Sequence, residues 1–315
     1  MTTRVVFMGS PDFAVPSLEA LVAARHLVEV VGVVTQPDKP AGRGQKLTSS
    51  EVNVVATRLG LPVFTPAKMK VPETLERLRA FAAELFVVAA YGRILPPSLL
   101  ELPRLGCVNV HASVLPRHRG ASPINHAILA GDADTGVSIM RMDEGLDTGP
   151  VYGVGRCPVE HGDTTGSLTT RLSRLGAELL VELLPGIVGG TLAPVPQPAE
   201  GVTYAPLLDK KDGWLDLSLP ADQLARRVRA MNPWPLAFVT RAGLRVQVLA
   251  AHAGAGRGEP GVVVGAGPAG VEVACGDGVL VLERVKPAGR GAMDASAWVA
   301  GRGIARGDRL ETAAP

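Results

Sequence analysis

Asn109, His111 and Ser113 fall at every second position of CVNVHASVLPRHRGASP (107–123), with Val108 and Val110 between them. On an extended strand residues two apart share a side, so an amide, an imidazole and a hydroxyl line one face and the valines the other. An amide can hold a developing oxyanion, and an imidazole takes or gives a proton near neutral pH. A second polar turn, MDEGLDTGP (142–150), sets Asp143, Glu144 and Asp147 among glycines directly after another apolar run. A carboxylate there can orient and charge-stabilise an imidazole. No G-x-S-x-G elbow or cysteine nucleophile accompanies these groups, which disfavours a covalent acyl-enzyme. The set suits a reaction whose substrate brings its own nucleophile while the protein binds an oxyanion and moves protons. A lone histidine in a strand is more often a satisfied edge residue; the second polar turn shifts the reading towards catalysis.

Such groups need a frame. A parallel sheet buries both faces, so polar side chains in it are costly except near the carboxyl ends of its strands, where the ligand crevice of such folds lies. The first half of the chain alternates apolar runs with amphipathic segments: RVVFMG (4–9), a helix over 15–25, VEVVGVVTQ (28–36), a helix near 49–59, PVF (62–64), a helix near 72–82, ELFVVAAY (84–91) and CVNVHA (107–112). That rhythm predicts five parallel strands joined by crossover helices. After a short helix near 122–130, TGVSIMRMD and GPVYGVGRCPV read as later strands, with the Asp147 turn expected at the same end of the sheet as His111. One long helical pattern covers 164–189, and Pro185 is expected to kink or end it. TLAPVPQPAEGVTYAP (191–206) is proline-rich and aperiodic, the composition of an interdomain linker.

Beyond the linker, a helix over 220–231 is succeeded by closely spaced strands divided by glycine turns, which predicts a small antiparallel β-barrel, with the oligonucleotide-binding (OB) type as one form. GAGPAG (265–270) matches the dinucleotide-binding fingerprint letter for letter, but period-two VEVACGDG comes after it where a helix is needed. It is read as a glycine-rich hairpin.

Composition sets the outer bounds. The 315 residues are 46% hydrophobic and 20% charged, with a net charge of +2, the profile of a globular protein of about two domains. Three dispersed cysteines without C-x-x-C spacing suggest neither a disulfide framework nor a metal site. The amino terminus lacks a signal-peptide core and no apolar run is long enough to span a bilayer, so a cytoplasmic protein without membrane association is expected. Residues 207–315 carry 14 basic and 11 acidic groups against 18 and 19 in the remainder, which makes the C-terminal part the better surface for a polyanion.

NVHASVLPRHRGASP and GLDTGP together resemble the signature of the folate-dependent formyltransferases. FMGSPDFAVPSL, TQPDKPAGRGQKL (35–47), VVAAYGRILP (87–96), TYAPLLDKKDG (203–213) and NPWPLAF (232–238) are similar to the branch of that family acting on methionyl-tRNA, over nearly the whole chain. The resemblance implies a Rossmann-like α/β catalytic domain over 1–190, a linker over 191–206 and an OB-type, tRNA-binding β-barrel domain over 207–315. It implies transfer of a formyl group from 10-formyltetrahydrofolate, a co-substrate, to the α-amine of initiator methionyl-tRNA, without a metal, by a monomer. Carried over, Asn109, His111 and Asp147 are the catalytic trio, with a protonated His111 and Asn109 holding the oxyanion. Ser113, Val114, Leu115 and Pro116, with Ala90, Tyr91, Gly92, Ile94, Leu95, Glu144, Gly145 and Leu146, line the folate site. Lys39, Arg43 and Lys46 in the acceptor-stem loop, and Lys210 and Lys211, meet tRNA; Arg226, Arg227 and Arg229 are further basic groups. Val114, His118 and Leu207 depart from the family's usual leucine, large aromatic and lysine. A sugar-amine or glycinamide ribonucleotide formyltransferase, or a formyltetrahydrofolate hydrolase, would share the motif but leaves the basic 37–47 loop and the NPWP domain unexplained. A noncatalytic tRNA-binding module leaves the trio without purpose.

Overall fold

The computed structural model describes residues 2–41 and 46–312. It divides into two compact units. The first comprises residues up to 123, 134–158 and 169–206; the second comprises 124–133, 159–168 and the chain from 207 onward.

The first unit is built on β1 (Thr3–Gly9), β2 (Val28–Val34), the short antiparallel pair β3 (Lys39–Ala41) and β4 (Lys46–Thr48), β5 (Val63–Phe64), β6 (Leu85–Ala89), β7 (Cys107–His111), β8 (Asp134–Arg141) and β9 (Val151–Pro158). Apart from the β3–β4 pair these form one sheet in the order β5-β2-β1-β6-β7-β8-β9. The five strands from β5 to β7 are parallel, as the alternation predicts. β8 and β9 then run antiparallel to their neighbours. Val5, Val6, Phe7 and Met8 are fully buried, because crossover helices cover both faces of the central strands. Those helices are α1 (Val15–Ala23), α2 (Glu51–Arg58), α3 (Pro72–Arg79) and the single turn α4 (Pro97–Leu100). Prolines in the first turn open α1, α3 and α4, where a missing N–H costs nothing; Ser50 caps α2 by accepting from the Asn53 N–H at 3.2 Å.

A short helix, α5 (Pro123–Ala130), belongs almost wholly to the second unit. The long helix α6 (Thr165–Val188) passes from the second unit into the first and packs on the valine side of β7: a Cβ on Gly176 would lie 2.7 Å from Val110 Cγ1. Close approach there needs glycine, and it leaves the opposite face of β7 for Asn109 and His111. Pro185 does not end α6 as expected. The helix runs on through it to Val188 at the loss of one ladder bond, the one its missing N–H would give to the carbonyl four residues earlier, and Leu184 and Ile187 stay buried on either side of it.

The second unit holds β10 (Ala237–Arg241), β11 (Leu244–Gly254), β12 (Val263–Gly267), β13 (Gly270–Ala274), β14 (Val279–Pro287) and β15 (Met293–Asp294), with α7 (Ala221–Ala230) and α8 (Ala295–Ala300). All pairings are antiparallel, in the order β10-β11-β14-β13-β12 with β15 on β14. Leu224, Val228, Val239, Val248, Leu280 and Leu282 belong to its apolar core. GAGPAG is the expected hairpin: Gly267 pairs with Gly270, and β13 stands where a nucleotide-binding fold would place a helix.

Candidate active site

β7 delivers Asn109 and His111 on one side of the sheet, since its other three residues, Cys107, Val108 and Val110, are core. His111 is 5% exposed, while Asn109 is only partly buried and its side chain makes no hydrogen bond among the described residues. The chain after His111 turns sharply. Ser113 is fully buried and its Oγ donates to the Arg117 carbonyl at 2.6 Å; Ser138 Oγ donates to the Ser113 carbonyl at 2.8 Å and accepts from the Leu115 N–H at 3.1 Å. Ser113 and Ser138 therefore hold the 113–117 loop in place, and the hydroxyl of Ser113 is spent on that task.

His111 is hydrogen-bonded at one ring nitrogen and faces a carboxylate with the other. Nε2 lies 3.0 Å from the His118 carbonyl, and Nδ1 lies 3.6 Å from Asp147 Oδ2. A carbonyl only accepts, so in the neutral ring the proton sits on Nε2 and the lone pair on Nδ1, facing the carboxylate. Burial pushes the His111 pKa down more strongly than Asp147 draws it up, so the resting imidazole is neutral. Asp147 eases protonation of His111 without enforcing it.

His118 lies against the ring of His111. It adopts a left-handed backbone conformation (φ +57°), is 5% exposed, and its N–H donates to Thr203 Oγ1 at 2.8 Å. It meets His111 through its carbonyl and also through its ring, whose charge adds to the lowering of the His111 pKa.

Asp147 reaches His111 by a route the strand pattern does not reveal. β8 is antiparallel to β7, with Arg141 opposite Val108 and Ser138 opposite His111, so the turn leaves at the amino end of β7, not at the expected carboxyl end. It comes back over the polar face. Asp147 is held there by the Gly120 N–H, which donates to Oδ2 at 2.8 Å, and its backbone is also left-handed (φ +52°). Asp143 stabilises the same turn by accepting from the Gly145 N–H at 3.1 Å and from Thr148 Oγ1 at 2.6 Å.

Three residues that the spacing argument passes over complete the frame. Gln197 Nε2 donates to the carbonyls of Asp147 and Gly149, both at 2.8 Å, and its Oε1 accepts from Arg119 Nε (3.1 Å) and Nη2 (2.7 Å). Thr203 is the third. Gln197 and Thr203 lie in the proline-rich stretch whose aperiodicity predicts a linker; it packs in the first unit and bridges to β9 through Val195. Gln197 carries the only side-chain amide of that stretch, a faint signal at most.

The folate-segment residues divide by exposure. Tyr91, Leu95 and Leu115 are core, and the Tyr91 hydroxyl donates to Met69 Sδ at 3.1 Å, so Tyr91 can offer a ligand only backbone. Val114 and Pro116 are half-buried; Ala90, Gly92, Glu144 and Gly145 are exposed. Ile94 and Leu146 are large apolar side chains left 80% and 56% exposed. Gln36 Nε2 donates to the Tyr91 carbonyl at 2.7 Å, tying the base of the 37–47 loop to this segment.

Arg43 lies outside the described residues, and Lys39 and Lys46 are placed only by the backbone pairing of β3 with β4. In the second unit Lys210 and Lys211 are exposed on a turn capped by Asp209, with Lys211 Nζ 3.4 Å from Asp209 Oδ2. On α7, Arg226 pairs with Asp222 at 2.8 Å, Arg227 donates to the Asp212 carbonyl at 2.7 Å and Arg229 to the Asp163 carbonyl at 3.0 Å. Among the described residues no cluster of His, Cys, Asp and Glu could hold a metal ion, and no helix is long and apolar enough to cross a membrane.

A family model described as formyl transferase matches residues 3–184, and one described as formyl transferase, C-terminal domain, matches 207–303. Methionyl-tRNA formyltransferase of Myxococcus xanthus (strain DK1622) is 51% identical over 97% of both chains. The protein of that name from Halorhodospira halophila (strain DSM 244 / SL1) is 50% identical over 99% of this chain and 100% of its own. Among solved structures, HypX from Aquifex aeolicus in complex with tetrahydrofolic acid superposes with a TM-score of 0.65 at 17% identity, covering 96% of this chain and 47% of that one. This chain thus spans about half the length of HypX. The N-formyltransferase from Helicobacter canadensis, in complex with folinic acid and dTDP-3-aminofucose, gives 0.63 at 17% identity, covering 90% and 98%. At those identities the two structures speak for the fold alone. Matched by the family model over most of its first unit and about half identical to curated members from end to end, the chain belongs to the formyl transferase family.

Proposed function

We propose that this chain transfers the formyl group of 10-formyltetrahydrofolate to the α-amine of methionine carried by initiator tRNA, acting as a cytoplasmic monomer. The observation that carries the reading is the near-50% identity to methionyl-tRNA formyltransferases across both units. The His111–Asp147 pair beside Asn109 gives it a mechanism.

Asn109 donates its amide hydrogens to the formyl oxygen as charge builds there. When the amine nitrogen bonds to the formyl carbon it becomes positively charged and must shed a proton. Asp147 Oδ2 accepts from the Gly120 N–H and is the oxygen facing His111 Nδ1, while Oδ1 has no partner among the described residues; the carboxylate takes the amine's hydrogen, directly or through water, and passes it to His111 Nδ1. The imidazolium formed lies between the Asp147 carboxylate and the His118 carbonyl, each of which stabilises it. His111 then returns the proton to the departing folate nitrogen as its bond to the formyl carbon breaks. Ile94, Leu146 and the 143–147 backbone receive the pterin, and Lys39, Arg43, Lys46, Lys210 and Lys211 contact tRNA phosphates.

The test is formyl transfer by purified protein from 10-formyltetrahydrofolate to initiator Met-tRNA, to glycinamide ribonucleotide and to dTDP-amino sugars. A preference for tRNA of about a hundredfold or more in kcat/KM is expected, of the size that contacts worth roughly 3 kcal/mol provide. Preference for a small amine, or release of free formate, would refute the assignment. Phosphate contacts also require KM for tRNA to climb steeply with salt.

A further inference from the structure

The backbone of Asp147 is in the left-handed region, an uncommon state for a residue with a β-carbon, and must be stabilised by its surroundings. Two carbonyls of that turn, at Asp147 and Gly149, accept from a single NH2 group, that of Gln197. The orientation of this amide is dictated in turn. Arg119 offers only donors, so the Gln197 oxygen must face the guanidinium and the NH2 group is left for the two carbonyls. Arg119 is itself fixed by main-chain bonds: its N–H donates to the Thr203 carbonyl at 2.9 Å and its carbonyl accepts from the Ala205 N–H at 2.7 Å. Its neighbours complete the arrangement: the His118 carbonyl sets the tautomer of His111 and the Gly120 N–H holds the Asp147 carboxylate.

We infer that Gln197, oriented by Arg119, is a positioning residue for the transfer reaction: it locks the Asp147 turn so that the carboxylate faces His111. Gln197 reaches neither ring nitrogen nor, on this geometry, the reacting atoms; it acts through Asp147. The inference rests on the reading above for the reaction it serves, while the hydrogen bonds stand without it.

Gln197→Glu keeps the shape and the Arg119 contact but sets an oxygen against two carbonyl oxygens; Gln197→Leu removes both functions. Each should lower kcat about 10- to 100-fold, the scale of an ångström-sized misplacement, with KM for both substrates within about twofold. Arg119→Met, which frees the amide to turn over, should cost less, and the double variant Arg119→Met/Gln197→Glu should be no slower than Gln197→Glu alone. A readout independent of turnover is the ring resonance of His111, assigned by its loss in His111→Asn. It should shift in Gln197→Leu while the remaining histidine signals stay in place. A kcat within twofold of wild type, a proportional change of kcat and KM, additive losses in the double variant, or an unmoved His111 resonance would each overturn the inference. If wild type formylates Met-tRNA and the Gln197 variants do so equally well, this inference alone fails; if wild type does not, the functional reading fails and the His111 resonance still decides this one.

Discussion

The interiors of the two units are built on opposite plans. The core of the second is Leu, Val, Ala, Met, Ile, Cys and Trp, and Thr240 is the one buried polar residue on its described strands. In the first, His111, Ser113, His118 and Ser138 are all buried within one stretch of β7, the loop after it and β8. Burying such groups costs free energy unless hydrogen bonds compensate, and here they do: serine with backbone, and the His111 imidazole Nε2 with the His118 carbonyl. The contrast separates a unit that buries polar groups and pairs them from one whose described strands bury almost none.

The sharpest way to break that contrast is at His111. His111→Ala should lower turnover by about 10²- to 10⁴-fold, the usual worth of a proton-transfer group, with folding retained; a stopped-flow or quenched assay beside circular dichroism reads both. Asn109→Ala comes next, at about 3 kcal/mol or roughly a hundredfold, the usual loss for one oxyanion donor. In the second unit the sign reverses. Leu282, fully buried on β14, should cost about 2–5 kcal/mol of stability when cut to alanine and leave the kcat of the folded protein within about twofold.

The smallest effect is on pH dependence. Burial lowers the folded-state pKa of His111 below its ordinary 6.5, so the unfolded chain binds the extra proton first. The stabilisation from keeping the ring neutral is complete above pH 6.5 and is lost as pH falls from there through the folded value. Denaturation midpoints at about pH 8 and about pH 5.5 should converge in His111→Gln relative to wild type, and the acid limb of kcat should lie below the ordinary histidine value. An acid limb above that value would mean that the carboxylate, not burial, governs the ring.

Much of this was legible in the sequence because it arises from local periodicity. The period of two that puts Asn109 and His111 on one face is a property of five residues, and the five parallel strands reflect alternating apolar runs. The GAGPAG hairpin could be separated from a nucleotide-binding turn because the adjoining run VEVACGDG also has a period of two. The features that were not legible depend on direction or distance. An apolar run such as TGVSIMRMD reads the same whichever way the strand runs, so the reversal at β8, and with it the path of the Asp147 turn, had no local signature. Gln197 is fifty residues from Asp147 and sits among prolines that announce only irregular chain. The bond from His111 to the His118 carbonyl is a main-chain contact, which side-chain identity does not encode.

The central claim is that the charge of Asp147, set against a neutral His111, makes the first unit catalytic. Single-turnover formyl transfer to Met-tRNA by Asp147→Asn tests it most directly, since the substitution keeps the side chain's shape and removes its charge. A rate lower by about 10²- to 10⁴-fold, with folate and tRNA still bound, is the expected result for loss of a proton-transfer group; a rate within twofold of wild type would contradict the account.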